Sequence, residues 1–225
     1  MKDRINIAVI GYGMIGRVHS YNYRVLPLIY PGTIPIPVLH TVVTSRRTSA
    51  RAAHDEAGFL HSSTDIREAI SNPEIDVIDV SVPNHRHREV VTEAIGAGKH
   101  VYCEKPLAGT IDDARAIAHT VAATANDDTK QAFGAHRSEA YPAHRSPLFG
   151  IVFQYRFVAA IQRARDLIET GRLGRIYTYR AEYLHSGYQD PSRPLSWRMK
   201  KEEGGTGALG DLGSHAIDLV RYLVG

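Results

Sequence analysis

Ile5-Asn6-Ile7-Ala8-Val9-Ile10-Gly11-Tyr12-Gly13-Met14-Ile15-Gly16-Arg17 is an apolar, β-branched run that ends in three spaced glycines and leads into a helical pattern. Strand, glycine turn and helix in that order read as a dinucleotide-binding loop. Gly11 permits the sharp exit from the strand, Gly13 has no Cβ to block a pyrophosphate, and Gly16 lets the new helix pack against the strand. The phosphates then sit at the helix start, where unpaired N–H groups and the positive end of the helix dipole favour an anion. Glycine clusters also mark ordinary turns, so the rest of the chain has to support the reading.

Working outward, strands alternate with helices as far as residue 125, which predicts a doubly wound parallel sheet of the Rossmann type over 1–125. A helix is expected over 14–26, then a proline-rich connection and a strand near 38–44. Val25 to Val43 carries no Asp, Glu, Lys or Arg, but five intervening prolines and glycines break any spanning helix, so it reads as a surface loop. Residues 48–57 are helical with Gly58 as the stop, and Ser63 or Thr64 caps a short helix through Ile70. Apolar runs at 77–82 and 100–103 are buried strands flanking a helix at 86–97, and Thr110 with Asp113 forms a capping box for a helix ending near 124. Residues 126–150 lose all period and read as a long loop or insertion. Beyond it, 152–156 is a strand, 158–170 an amphipathic helix, 176–184 an alternating strand with one covered face, and 213–224 a last helix. Residues 151–225 are thus the incomplete start of an α+β second domain whose open sheet falls short. With its edge uncovered, that strand predicts self-association.

The chain has 225 residues, with 27 Lys and Arg against 24 Asp and Glu. The mild balance and the lack of a clustered basic face argue against a nucleic-acid partner, and no membrane segment is expected. The single cysteine, Cys103, excludes an internal disulfide and fits a reducing, cytoplasmic compartment, and no leader is read before the first strand.

Several spaced motifs then resemble the Gfo/Idh/MocA family of nicotinamide-dependent sugar and polyol oxidoreductases. Gly11-Tyr12-Gly13-Met14-Ile15-Gly16 resembles its cofactor loop, Val82-Pro83-Asn84-His85-Arg86-His87 its loop after the fourth strand, and Cys103-Glu104-Lys105-Pro106-Leu107 its Glu-Lys-Pro motif. Gly204 to His215 resembles the glycine-rich segment that ends in Asp-x-x-x-His, while Phe153-Gln154-Tyr155-Arg156 and Leu195-Ser196-Trp197-Arg198 resemble the inositol and anhydrosugar branch. The resemblance implies catalytic Lys105, Asp211 and His215, and cofactor contacts from the glycine loop, Val82, Pro83, Asn84, His87, Glu104 and Lys105. Arg156, Trp197 and Arg198 are implied substrate contacts, the Lys-Pro bond is often cis, and the full-length family form is a homo-oligomer.

The residues themselves agree in part. Lys105 follows a buried strand at the carboxyl edge where open α/β sheets bind ligands, although a surface lysine in a turn has the same local sequence. Asp211 and His215 lie four apart and face one side of a helix start. They could form a metal pair, a helix cap or a catalytic pair. A metal site needs further ligands, for which no spacing stands out, and the same holds for His85 and His87, so no metal is expected. Imidazole is suited to take a hydroxyl proton as hydride leaves the same carbon, with Asp211 orienting substrate or imidazole.

The chain departs from the family in one useful place. Where an acid ordinarily holds the adenosine ribose, the matching position is Ser45, followed by Arg46 and Arg47. The expected cofactor is therefore NAD(P), with a lean to NADP. The expected function is hydride transfer between a cyclic polyol or sugar CH–OH and that cofactor. The alternative is a nucleotide-binding protein, or an inactive shortened homologue, that no longer turns over.

Overall fold

The computed structural model describes residues 3–124, 146–187 and 189–225. Six parallel strands, β1 (Arg4–Ile10), β2 (Ile36–Val43), β3 (His61–Ser63), β4 (Val77–Val80), β5 (His100–Glu104) and β6 (Phe149–Val152), form one sheet in the order β3-β2-β1-β4-β5-β6. This is the doubly wound Rossmann order, in which the winding reverses between β1 and β4. Alternate residues of β1 explain why its buried end, Ile7–Ile10, is apolar at every position. Ala8 and Ile10 pack into one core with Ile78, Val80, Val90 and Ile117, while Ile7 and Val9 pack into a second with Val42, Ala53 and Phe59. Both faces are covered over Ile7–Ile10, and the polar Arg4 and Asn6 lie at the less buried start of the strand.

Helices α1 (Met14–Ile29), α2 (Arg47–Ala57), α3 (Ile66–Ser71), α4 (His87–Gly96) and α5 (Ile111–Thr124) make the crossovers. Their ends follow local chemistry. Gly58 closes α2 at a φ of 70°. The Asp65 carboxylate, rather than Ser63 or Thr64, accepts the Arg67 N–H at the start of α3. At the start of α5 the Thr110 hydroxyl accepts the Asp113 N–H, as in a capping box, while the Asp113 carboxylate accepts from that hydroxyl instead of from the Thr110 N–H. Pro27 lies inside α1 and does not end it, because the N–H it lacks is lost in a solvent-exposed last turn. Among the described residues no helix is long and apolar enough to cross a membrane.

The sixth strand, β6, lies partly in the expected 126–150 connection and partly in the expected 151–225 unit, so the sheet draws on chain beyond residue 125. Of that connection, 126–145 falls outside the described residues. The strand expected over 152–156 is shifted back to β6, and Gln154–Phe157 instead makes a tight 3-10 turn. Helices α6 (Ala159–Glu169), α7 (Lys201–Gly204) and α8 (Ser214–Val224) follow, with a wider π-type turn, Leu209–Gly213, running into α8. The alternating stretch 176–184 is not a strand. Tyr177 and Leu184 are each 84% exposed, and no ladder partner lies beside the stretch among the described residues. Alternation states which side chains share a face, but a strand also needs a neighbour to accept its hydrogen bonds.

Candidate active site

The carboxyl ends of β1, β2 and β4 open onto a cleft of about 690 Å³, lined by Gly11 to Ile15, Thr44-Ser45-Arg46 and Ser81-Val82-Pro83. It lies at the point where strand order reverses, and its size is that of a small-molecule site. Gly11 has a φ of 95°, and a Cβ there would run into the Ser81 carbonyl. Gly16 packs directly on the Gly11 carbonyl, whereas a Cβ on Gly13 would meet no protein atom within 4 Å. No side chain caps α1, so its first N–H groups and the positive end of its dipole are left for an anion. These features fit a dinucleotide pyrophosphate. At the β2 end, Ser45 and Arg46 line the cleft and Arg47 does not, lying exposed on α2. Asp65 also lines this cleft, and its carboxylate is engaged in capping α3.

A smaller cleft of about 210 Å³ adjoins it, lined by Asn84, Glu104, Lys105, Tyr155, Asp211 and His215 among others. Ile15, Ser81, Val82, Trp197 and Arg198 line both clefts. Lys105 stands on the turn after β5, past a cis peptide to Pro106. Its Nζ donates to the Asp211 carboxylate at 2.7 Å and to the Asp211 carbonyl at 2.8 Å. The Arg198 Nε lies 3.7 Å from the same carboxylate oxygen. Two contacts seat the glycine-rich segment over this edge. Asn84 Nδ2 donates to the Gly204 carbonyl at 2.9 Å. Gly205, at a φ of 75°, passes so close to Gly109 that a Cβ would collide with its backbone.

His215, in the first turn of α8, is 4% exposed. Its ring meets Tyr155 edge-on at 4.7 Å and stacks on Tyr183 at 6.1 Å, and the two tyrosine hydroxyls are 2.5 Å apart. Burial, and then the positive charge of Lys105, push the imidazole below its ordinary pKa, so it is neutral near pH 7. Its Nδ1 is buried, with no hydrogen-bond partner among the described residues. Asp211 is hydrogen-bonded to Lys105, and its negative charge favours the imidazolium of His215 against burial and the Lys105 charge. Both residues line the same cleft, with a π-type turn, Leu209–Gly213, leading into α8.

Two further expectations are corrected. His87 does not line the cofactor cleft. It is fully buried, with Nε2 at 2.9 Å from the Val82 carbonyl and Nδ1 at 3.0 Å from that of Pro106. It braces the two loops from behind and shapes the cleft indirectly. Arg156 does not reach the substrate cleft, because its guanidinium forks onto Asp218 of α8, with Nε to Oδ2 at 2.8 Å. It ties the turn after β6 to the last helix.

With this geometry in hand, two family models match the chain. The description of the first is an oxidoreductase family with an NAD-binding Rossmann fold, matched over residues 5–127, and that of the second is the GFO/IDH/MocA C-terminal domain, matched over 161–225. The chain belongs to the GFO/IDH/MocA oxidoreductase family. Levoglucosan dehydrogenase of Pseudarthrobacter phenanthrenivorans is 35% identical over 223 residues, which cover 99% of this chain and 52% of that protein. A 1,5-anhydro-D-fructose reductase of Ensifer adhaerens is 34% identical, covering 81% of this chain and 49% of its own length. Among solved structures, levoglucosan dehydrogenase in complex with NADH and levoglucosan superposes with a TM-score of 0.83 at 36% identity, covering 99% of this chain and 54% of that one. The chain thus spans about half the length of the curated relatives it matches.

Within this GFO/IDH/MocA site, sequence reasoning missed Tyr183 and used Tyr155 only as part of a motif. Tyr183 falls in the stretch read as a strand, so its side chain was assigned to a sheet face. The Tyr155 ring reaches His215 because a 3-10 turn replaces the expected strand.

Proposed function

We propose that the protein oxidises a CH–OH group of a cyclic polyol or sugar with NAD(P) as hydride acceptor. The observation that carries this reading is the shared wall. A cleft fitted to a dinucleotide and a cleft holding Lys105 and His215 are contiguous through Ile15, Ser81, Val82, Trp197 and Arg198. When bound, the nicotinamide supplies a two-electron hydride acceptor. His215 is neutral and buried beside the smaller cleft, and in this reading it takes the hydroxyl proton as the carbon's hydrogen leaves with its electron pair, giving a carbonyl. Lys105 has three N–H donors, and Asp211 engages it through two acceptors. A donor directed at the substrate oxygen stabilises its developing negative charge. Asp211 fixes the lysine's aim, with Trp197 and Arg198 as substrate contacts at the junction of the clefts.

The test is nicotinamide reduction across a panel of inositols, aldoses and anhydrosugars, levoglucosan included. His215→Ala is expected to lower turnover by about 10²–10⁴-fold while cofactor affinity stays unchanged. A collapse in cofactor binding would make the histidine structural. Cofactor binding with no turnover on any panel member would favour a nucleotide-binding role.

Cofactor choice rests on Ser45 and Arg46. With no acid in that turn to repel a 2′-phosphate and a guanidinium able to fork onto one, NADP binds at least as well as NAD. A charge-assisted bond contributes about 1.5–3 kcal/mol, so Arg46→Ala weakens NADP by about tenfold or more and leaves NAD nearly unchanged. Equal losses for both cofactors in a fluorescence titration would remove Arg46 from the phosphate site. The homo-oligomer belongs to the same reading and is checked by light scattering.

A further inference from the structure

Behind the Glu104-Lys105-Pro106 turn lies a buried polar cluster that the proposed chemistry does not use. Asp79 on β4 has no exposure. Its carboxylate accepts from Tyr23 Oη at 2.6 Å and Ser81 Oγ at 2.9 Å, and lies 2.9 Å from His19 Nδ1. The other nitrogen of that ring, Nε2, lies 3.3 Å from Glu104 Oε1. The second oxygen of Glu104 accepts the backbone N–H of Lys105 at 3.2 Å. A continuous path therefore runs from Asp79 through His19 and Glu104 to the backbone of Lys105, crossing from α1 to the carboxyl end of β5.

A carboxylate stands against each ring nitrogen of His19, and only an imidazolium donates from both. Burial alone would lower the ring's pKa, but its hydrogen bonds to Asp79 and Glu104, and their charges, outweigh that effect and hold it at about 10. The other titratable groups that feel these carboxylates include two phenols, the buried Cys103 thiol, which burial and then Glu104 and Asp79 push upward, and the rings of His87 and His215, which burial pushes down. Tyr23 and Tyr102 are both pushed upward by burial first and by Asp79 next, so they stay neutral. The cluster thus carries two negative charges and one positive, with the Lys105 ammonium at its edge. Without the imidazolium, the buried Asp79 would have no cationic partner among these groups, and Glu104 would lose the contact that orients its carboxylate.

We infer that His19 is a positioning residue for Lys105, acting through Glu104, and that it locks the helix that opens the cofactor loop to the turn that presents the lysine. The catalytic meaning of this inference rests on the proposed oxidation, whereas the coupling itself is measurable without turnover.

The test uses the full chain labelled with ¹⁵N-histidine and ¹³C-lysine. There are only six lysines, so the Lys105 signal is assigned with Lys105→Arg. In the wild type the His19 ring is expected to stay doubly protonated to about pH 9, where an ordinary histidine with a pKa of about 6.5 is neutral. Glu104→Gln lowers its midpoint by about one pH unit or more. His19→Gln and Glu104→Gln each shift the Lys105 signal, and the double variant moves it no further than the larger single one. A wild-type His19 that titrates with ordinary histidines, a Lys105 signal unmoved in either variant, or additive shifts would overturn the inference. If His19→Gln does not fold, the wild-type titration and Glu104→Gln still decide it. In turnover, His19→Gln should lower kcat by about tenfold or more with cofactor Kd nearly constant; a loss confined to Kd would make the residue part of α1 packing alone and overturn the role. An inactive wild type would sink the proposed oxidation, and the NMR couplings would still uphold or refute the link to Lys105.

Discussion

The chain up to Val152 and the chain beyond it are stabilised in different ways. Every buried hydrophobic residue among those described lies at or before Val152, whereas the buried ionisable side chains beyond it are those of His215 and Asp218. Among the described residues, the three buried side-chain atoms with no hydrogen-bond partner, Ser196 Oγ, Ser214 Oγ and His215 Nδ1, all lie beyond it too. Conversely, the buried Asp79, His19 and Lys99 of the sheet half are all hydrogen-bonded. The second half is tethered to the first by polar contacts, Lys105 to Asp211 and Asn84 to Gly204, and braced within itself by Arg156 to Asp218. Stability resides where apolar area is removed from water, and unsatisfied chemistry gathers where it is not.

The contrast is sharpest in the core. Ile78 has no exposure and packs among Val80, Val90 and Ile117. Ile78→Ala is expected to cost about 2–5 kcal/mol in denaturant unfolding, a cavity that both faces of the sheet resist closing. A loss under about 1 kcal/mol would mean that the sheet does not dominate stability.

Acidity separates His19 from His215 of the second half, and also from His87 of its own half. His19 has a raised pKa, so its stabilising contribution is complete below the unfolded value of about 6.5 and is lost as pH rises toward about 10. His215 and His87 have lowered values, so theirs is present above the unfolded value and lost on acidification. Unfolding measured from pH 5 to 10 should show both limbs, and His19→Gln should flatten the alkaline one alone. An alkaline limb unchanged in that variant would break the assignment.

Within the second half the effects are smaller. Arg156→Ala strands Asp218, which is largely buried, but the guanidinium side chain is 40% exposed and partly screened. A loss of about 1–3 kcal/mol is expected, read as an earlier transition of α8 by hydrogen exchange. Tyr177→Ala should lie within about 0.5 kcal/mol of the parent, and a larger loss would reveal packing on that stretch which the fold does not show.

Much of the sheet was legible because its signals are local. The apolar run of β1, the three glycines, the Thr110–Asp113 cap and the Gly58 stop each declare themselves within a few residues. The three-residue β3 was too short to register as a period. What failed depended on partners distant in the chain. His87 of the Pro-Asn-His-Arg-His loop, an implied cofactor contact, instead has the Val82 and Pro106 carbonyls against its two nitrogens. Arg156 looked like a substrate ligand because its acceptor, Asp218, is 62 residues away. Lys105, Asp211 and His215 were named from motifs and line one cleft, but the pairing of Asp211 with Lys105 joins positions 106 residues apart, which no local spacing encodes.

The close pass of Gly205 over Gly109 bears on how such a site diversifies. The Lys105 turn and the segment carrying Asp211 and His215 meet there through backbone, with no side chain between them. Their separation therefore cannot be retuned by exchanging one residue for another, and is inherited as a unit of main-chain shape. Tyr155, Tyr183, Trp197 and Arg198, by contrast, line the cleft itself. A single codon change alters any one of them. Descendants of this chain are thus free to drift in what they admit to the cleft long before they can drift in what they do to it.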